Sequence, residues 1–197
     1  MRGAIAILAL IVAAGCRGAP PMPAPRPEPT GGVRHEVLKR RDPATGRVLR
    51  EWSVKVLPGE RSVLHGRERT WTRDGALEWE REWRDGEPHG AWTRWWRDGV
   101  PRSRVEYAGK DVERPMSFWH ENGIKAMEGV AKDGVRCGEW TTWREDGSLE
   151  SRGGYRDSFQ HGEWIVYAAD GVTEEKRYWY ERSVRTKVVP AAAPKSP

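Results

Sequence analysis

The stretch RDGEPHGAWTRWWRDG, residues 84–99, holds two Asp-Gly pairs, a His-Gly pair and three tryptophans. Asp-Gly flanked by β-forming residues is the strongest short-range hairpin signal. The stretch is one copy of a pattern. Asp74-Gly75, Asp98-Gly99, Asn122-Gly123, Asp146-Gly147 and Asp170-Gly171 follow one another at one constant interval, with no insertion. A second glycine column, Gly66, Gly90, Gly138 and Gly162, keeps the same grid, with Arg114 in the gap. An aromatic column holds Trp71, Trp95, Trp119, Trp143 and Tyr167. A fixed period of about two dozen residues marks a repeat architecture.

Each unit reads as two short strands. GAWTRWW (Gly90 to Trp96) is a first strand, and the Asp-Gly pair after it turns the chain. In ALEWEREW (Ala76 to Trp83), Leu77, Trp79 and Trp83 alternate with Glu78, Glu80 and Glu82. That is strand periodicity, apolar on one face and charged on the other. RDGEPHG then reverses the chain, its glycines permitting positive φ. Asp85, Asp133 and Asp157 recur there, with Gly109 in the gap. The expected fold is all-β: stacked hairpins in one elongated antiparallel meander.

The units resemble the bacterial variant of the MORN repeat. Asp74-Gly75, Leu77, Trp83, Asp85-Gly86, His89-Gly90, Trp92 and Trp95 carry the match. Asp146-Gly147, Leu149, Tyr155, Asp157, His161-Gly162, Trp164 and Tyr167 carry it again. The resemblance covers residues 67–182 and implies the meander fold while saying almost nothing of function. Relatives of this repeat are often filed under antitoxin-family names. The unit 115–138 departs, with Met116 for a Trp, Ala131 for an aromatic and Cys137 for a His. A looser first repeat spans residues 33–66, with Thr45-Gly46 as its hairpin and extra residues around Pro58-Gly59.

A lone hairpin is marginal in water, so the units must cover one another. Only two Phe accompany 12 Trp, too few conventional core residues for a large interior. The column Trp71–Tyr167 is therefore expected to stack as a ladder, and Trp119→Ala to cost roughly 3–5 kcal/mol if that ring is buried. The Trp92 and Trp95 columns have opposite strand parity. Either both faces carry rings, or a bulge breaks the alternation.

The ends are different in kind. MRGAIAILALIVAAGC has Arg2 and then an apolar run from Ala4 to Ala14. That is about half the ~20 residues a membrane-crossing helix needs, and it reads as a secretory signal over residues 1–15. Ala13-Ala14-Gly15-Cys16 resembles the bacterial lipobox. The resemblance implies cleavage after Gly15 and a diacylglycerol on Cys16. Arg17, rather than Asp, follows, which implies an outer-membrane destination. Residues 16–32 are a Pro- and Gly-rich tether, and residues 183–197 are expected to be a disordered tail.

Chemistry is sparse. An acylated Cys16 leaves Cys137 without a disulfide partner. Loss of Arg2 leaves 33 Lys and Arg, against the 29 Asp and Glu of the full sequence, of mixed sign and unlike a nucleic-acid footprint. His65, His89 and His161 share a column with Cys137, but neighbours one unit apart are ~10 Å distant, too far to share a zinc. A turn-capping role is expected instead, with no metal and no cofactor. Glu80 and Glu82 are expected to pair with cations across strands, and Ser103, Ser148 and Ser151 lack a Gly-x-Ser-x-Gly setting. No catalytic residue is assigned. Trp96 and Trp179 are the candidates for contact with a partner or a glycan. The leading expectation is a non-catalytic envelope lipoprotein that binds another envelope protein. The alternatives are a glycan or cell-wall binder and the neutralising partner of a toxin. Nucleic acid is not expected as a partner, nor is a small-molecule ligand.

Overall fold

The computed structural model describes residues 32–59, 61–109 and 112–190. Residues 1–31, which include the signal segment, Cys16 and nearly all of the tether, lie outside the described residues, as does the end of the expected tail, 191–197.

Thirteen strands form one antiparallel sheet in chain order. They are β1 (Arg34–Arg41), β2 (Val48–Val56), β3 (Ser62–Trp71), β4 (Leu77–Arg84), β5 (Glu87–Trp95), β6 (Pro101–Tyr107) and β7 (Glu113–Trp119). Then follow β8 (Lys125–Lys132), β9 (Val135–Trp143), β10 (Leu149–Arg156), β11 (Phe159–Tyr167), β12 (Glu174–Glu181) and β13 (Val184–Pro190). At a spacing near 4.8 Å the sheet is about 60 Å across its strands.

The hairpins close in two ways. Asp85-Gly86, Asp133-Gly134, Asp157-Ser158 and Arg182-Ser183 are two-residue turns with positive φ at both positions, 51° and 87° in the first. That pair of angles matches the right-handed twist of the flanking strands. The periodic Asp-Gly pairs sit in longer loops. Trp96 N–H donates to Val100 O at 2.7 Å, and the Asp98 carboxylate accepts from Val100 N–H. Ile124 on Asn122 and Ser148 on Asp146 repeat the contact. Only the glycine has φ > 0 in these loops. They carry an acid-sensitive contribution to stability. Hydrogen bonds hold the carboxyls of Asp42 (from Ala44 N–H first), Asp74 (from the Thr72 hydroxyl), Asp146 (from Ser148) and Asp170 (from Thr173) below their ordinary range. A carboxyl whose pKa is depressed on folding stabilises above its unfolded value of about 3.9, and the contribution is lost as pH falls through the folded value. The urea midpoint is therefore expected to be level in these groups above about pH 5 and to fall in acid. Asp146→Asn should flatten that fall, and an unchanged acid limb would refute the assignment.

The column Gly66, Gly90, Gly138 and Gly162 does not turn the chain. It lies inside strands, at bulges. Between β4 and β5 the register runs Glu82↔His89 and then Glu80↔Thr93, so two steps on β4 face four on β5. The same excess occurs between β2 and β3, β8 and β9, and β10 and β11. Gly90, at φ 62°, provides the left-handed residue this needs. A bulge leaves a facing backbone group without its ladder partner, and the tryptophan two positions on repairs this. Trp92 Nε1 donates to Glu82 O at 2.8 Å, Trp140 Nε1 to Val130 O at 3.1 Å and Trp164 Nε1 to Gly154 O at 3.0 Å. The unit with Arg114 has Met116 at the tryptophan position, and its β6–β7 pairing carries no such jump. The two substitutions are one event: without the bulge there is no carbonyl for an indole to cap.

These capping tryptophans form the ring ladder. Trp83–Trp92 and Trp92–Tyr107 have centroids 4.8 Å apart. Trp140–Tyr155, Tyr155–Trp164 and Trp164–Tyr180 follow at 5.9, 5.3 and 6.3 Å. Trp140 is 1% exposed and Trp164 5%. The expected ladder Trp71, Trp95, Trp119, Trp143 and Tyr167 is corrected. Each is the last residue of its strand, half-buried beside a loop. Among the described residues, no close ring pair joins two of them. Trp119 is not the buried ring; Trp140 is.

Two further differences arise at the C-terminal end. The loop after β11 closes from Ala168 N–H to Thr173 O, one residue longer than the loops after β3, β5, β7 and β9. The slip puts Tyr180, not the on-grid Trp179, opposite Gly162. Residues 184–190, expected within a tail, form β13. Their start is fixed by the Arg182-Ser183 turn, where the Ser183 hydroxyl accepts from Gln160 N–H at 3.0 Å.

Candidate functional site

Among the described residues, two surfaces hold the candidate contact tryptophans. The first is a cleft of about 590 Å³ beside the longer loops, lined by Trp96, Arg102, Phe118, Trp119, His120, Glu121, Asn122, Ala126 and Glu145. Trp96 is held there from two directions. Its indole N–H donates to Trp119 O at 3.1 Å, and the Arg102 guanidinium lies 4.3 Å from its ring centroid. The same reach recurs one unit later, where His120 Nε2 donates to Trp143 O at 2.9 Å, and again from Arg144 to Tyr167 O at 2.5 Å. Residues 96, 120 and 144 thus stitch each loop to the next unit's strand end. Asn122 adds a bond to Glu145 O at 2.7 Å. Trp96 is half-buried, so it is a wall of this cleft rather than a free ring.

The second surface is an apolar rim. Val135, Phe159 and Val184 open β9, β11 and β13, each directly after a two-residue turn, and are 41%, 49% and 64% exposed. Strand alternation puts them on one face, together with Trp179 at 50%. The equivalent position of β5 is Glu87. Charged residues stand between them, Lys132 opposite Val135, Arg156 opposite Phe159 and Glu181 opposite Val184, so the rim is a row of apolar groups framed by charge, the make-up of an interaction surface with a polar rim. Repeat position 135 is readable in the sequence; its exposure is not, because spacing alone gives the turn to the neighbouring glycine column.

The remaining sequence candidates have local roles. His65 Nδ1 lies 3.3 Å from both the carboxylate and the N–H of Asp85, capping that turn. Asp85 also takes Lys55 at 2.9 Å, which is the main reason its carboxyl titrates low. The Cys137 thiol points at Val130 O, 3.8 Å away, and burial pushes its pKa up, away from the reactive thiolate. Glu80 is bridged by Arg69 at 2.7 Å. Among the described residues, no group of three or more His, Cys, Asp or Glu is placed to hold a metal.

No protein-family model matches the chain, and no curated protein matches it closely enough to count as a relative.

Proposed function

We propose that the chain is a non-catalytic envelope lipoprotein, a divergent MORN-like scaffold that binds another envelope protein through the apolar rim. The observation that carries this is the row Val135, Phe159 and Val184 with Trp179, exposed on one face in successive units.

The sheet edges support the same reading. Open edges bind strands unless charge blocks them. β1 carries Arg34, Lys39, Arg40 and Arg41, and β13 carries Arg185 and Lys187. Over residues 33–71, ten Lys and Arg face five Asp and Glu. Two copies joining β13 to β1 would bring like charges together, so the edges are guarded and the rim is left for the partner. The envelope placement rests on the Ala13–Cys16 lipobox resemblance.

The test is site-directed photocrosslinking in the native envelope. A crosslinker at Val135 or Val184 is expected to trap one partner, and one at Arg73 none. Phe159→Arg should cut the yield about tenfold, as removal of an interface anchor does. Cys16→Ser should move the protein out of the membrane fraction. Equal trapping at Arg73 and Val184 would sink the rim assignment.

A further inference from the structure

The Trp96 cleft has a composition that the partner-binding rim does not explain, and its chemistry is independent of the rim. Its structural hydrogen bonds are already made, by Trp96 to Trp119 O, His120 to Trp143 O and Asn122 to Glu145 O. Three charged groups in its lining are left over. The Arg102 guanidinium stacks on Trp96 and, among the described residues, has no ion-pair partner. The carboxylates of Glu121 and Glu145 are exposed and likewise without a side-chain partner among the described residues. The cleft one unit earlier shares Trp96 and Arg102 but closes its own charges internally, Glu78 with Arg94 and Asp74 with Arg97. Of the two, the later cleft alone adds unpaired carboxylates to that guanidinium.

We infer that this cleft binds a neutral sugar, with a pyranose ring packed against the Trp96–Trp119 wall, its hydroxyls donating to Glu121 and Glu145 and accepting from Arg102. The class follows by elimination on charge and polarity. A phosphate or carboxylate would meet two unpaired carboxylates. A cationic guest at the Trp96 wall would meet the like charge of the Arg102 guanidinium. A purely apolar guest would strand three charged groups against its surface. A sugar offers an apolar C–H face to an aromatic ring and hydroxyls that both donate and accept, and the volume is ample for one or two rings.

The experiment uses the full chain, observing the indole N–H resonance of Trp96 and binding heat. Cellotetraose, chitotetraose and maltotetraose are titrated, with a sialylated trisaccharide as the anionic arm and soluble peptidoglycan fragments as the cell-wall arm. At least one neutral oligosaccharide is expected to shift the Trp96 indole with a Kd of about 1 mM. Arg102→Met, at a half-buried position where Met keeps the chain's apolar length, and Glu145→Gln, at an exposed one, are each expected to weaken binding about tenfold while the thermal midpoint is held. Binding by chitotetraose and peptidoglycan fragments, with none by cellotetraose or maltotetraose, would identify a wall glycan as the source; binding by cellotetraose or maltotetraose would identify a free oligosaccharide. The inference is overturned if no neutral sugar moves the Trp96 resonance at about tenfold above that Kd. It is equally overturned if both variants bind as the unaltered chain does, or if the anionic sugar binds more tightly than the neutral ones.

Discussion

Trp140→Ala is expected to lower the unfolding free energy by about 3–5 kcal/mol, the range for deleting a buried Trp. Three losses coincide at this ring. It is 1% exposed, so nearly its whole surface leaves the core. Its neighbours Phe118 and Tyr155, at 6.4 and 5.9 Å, lose their central partner, and the Arg136 guanidinium 4.9 Å from its centroid loses its platform. Its N–H takes two carbonyls, Val130 O and Cys137 O, each at 3.1 Å. Those carbonyls flank the bulge, where the register of the ladder is broken. Gly129→Ala reaches the same ring from below. A Cβ there would lie far inside contact distance of the indole, and a ring so enclosed has nowhere to go. Overpacking of this kind costs about 1–3 kcal/mol. Gly129 has no positive φ, so the loss would be steric and not a backbone effect. Urea unfolding measures both. In a stacked array the damage is expected to stay near the altered unit, which amide exchange would show as lost protection in β8–β11 with β1–β3 unaffected. A loss under about 1 kcal/mol for Trp140→Ala would mean that the ladder is surface decoration.

The constant period made the meander legible, and it did so through residues that only a turn or a bulge requires. The strand spans for β4 and β5 fall close to the sequence reading for the same reason. What could not be read was which column does which task. Gly90 and Gly86 both satisfy positive φ, and one-dimensional spacing does not separate a turn from a bulge a few positions away. Once Gly90 is placed in a bulge, Trp92 has a carbonyl to cap and Trp95 falls at a strand end, so the ladder moves from one tryptophan column to the other. The parity question resolves with it. The β5–β6 register shifts between Arg94 and Trp95, so the alternation is broken on the way from Trp92 to Trp95, while Trp179, next to the ladder ring Tyr180 on β12, stands on the other face. Trp179 stands exposed for a simpler cause: one extra loop residue before Thr173 shifted β12 off the grid while leaving Asp170-Gly171 on it. The Trp96 cleft was half visible. Trp96 stands out in the sequence by its neighbour's parity, whereas Arg102, Glu121 and Glu145 come from three different segments that only the sheet brings together.

Position 68 shows how the repeat ends. It lies one full repeat before Trp92, where the later units place a capping tryptophan, yet it is a glutamate, and it is 3% exposed. The exchange works because the polarity of the contact is reversed. Instead of an indole donating to a carbonyl, the carboxylate of Glu68 accepts from Trp83 Nε1 at 2.8 Å and from Arg50 at 2.7 Å, with Arg81 at 3.6 Å. Arg81 in turn stands where Gly129 and Gly153 lie beneath later rings, its guanidinium 4.4 Å from Trp79 and 5.2 Å from Trp92. Arg81 is the direct cross-strand partner of position 68, and a carboxylate there forms an ion pair with it. Glu68→Ala removes the acceptor shared by two cations and an indole. Arg50 and Arg81 are a third and a quarter exposed, so water can reach them in part. The expected loss is therefore about 3 kcal/mol, the lower end for breaking a buried pair. Glu68→Gln keeps an acceptor for Trp83 without the charge and should cost about half as much. The double variant Glu68→Ala, Arg81→Ala should lose less than the sum of the two single changes, because Glu68→Ala already removes the ion pair that Arg81→Ala would break. Added salt should alter these differences little, since the carboxylate is out of reach of the ionic atmosphere. If Glu68→Ala leaves the urea midpoint unchanged, the cost of drying that carboxylate already cancels its three contacts, and the charged start of the ladder contributes register rather than stability.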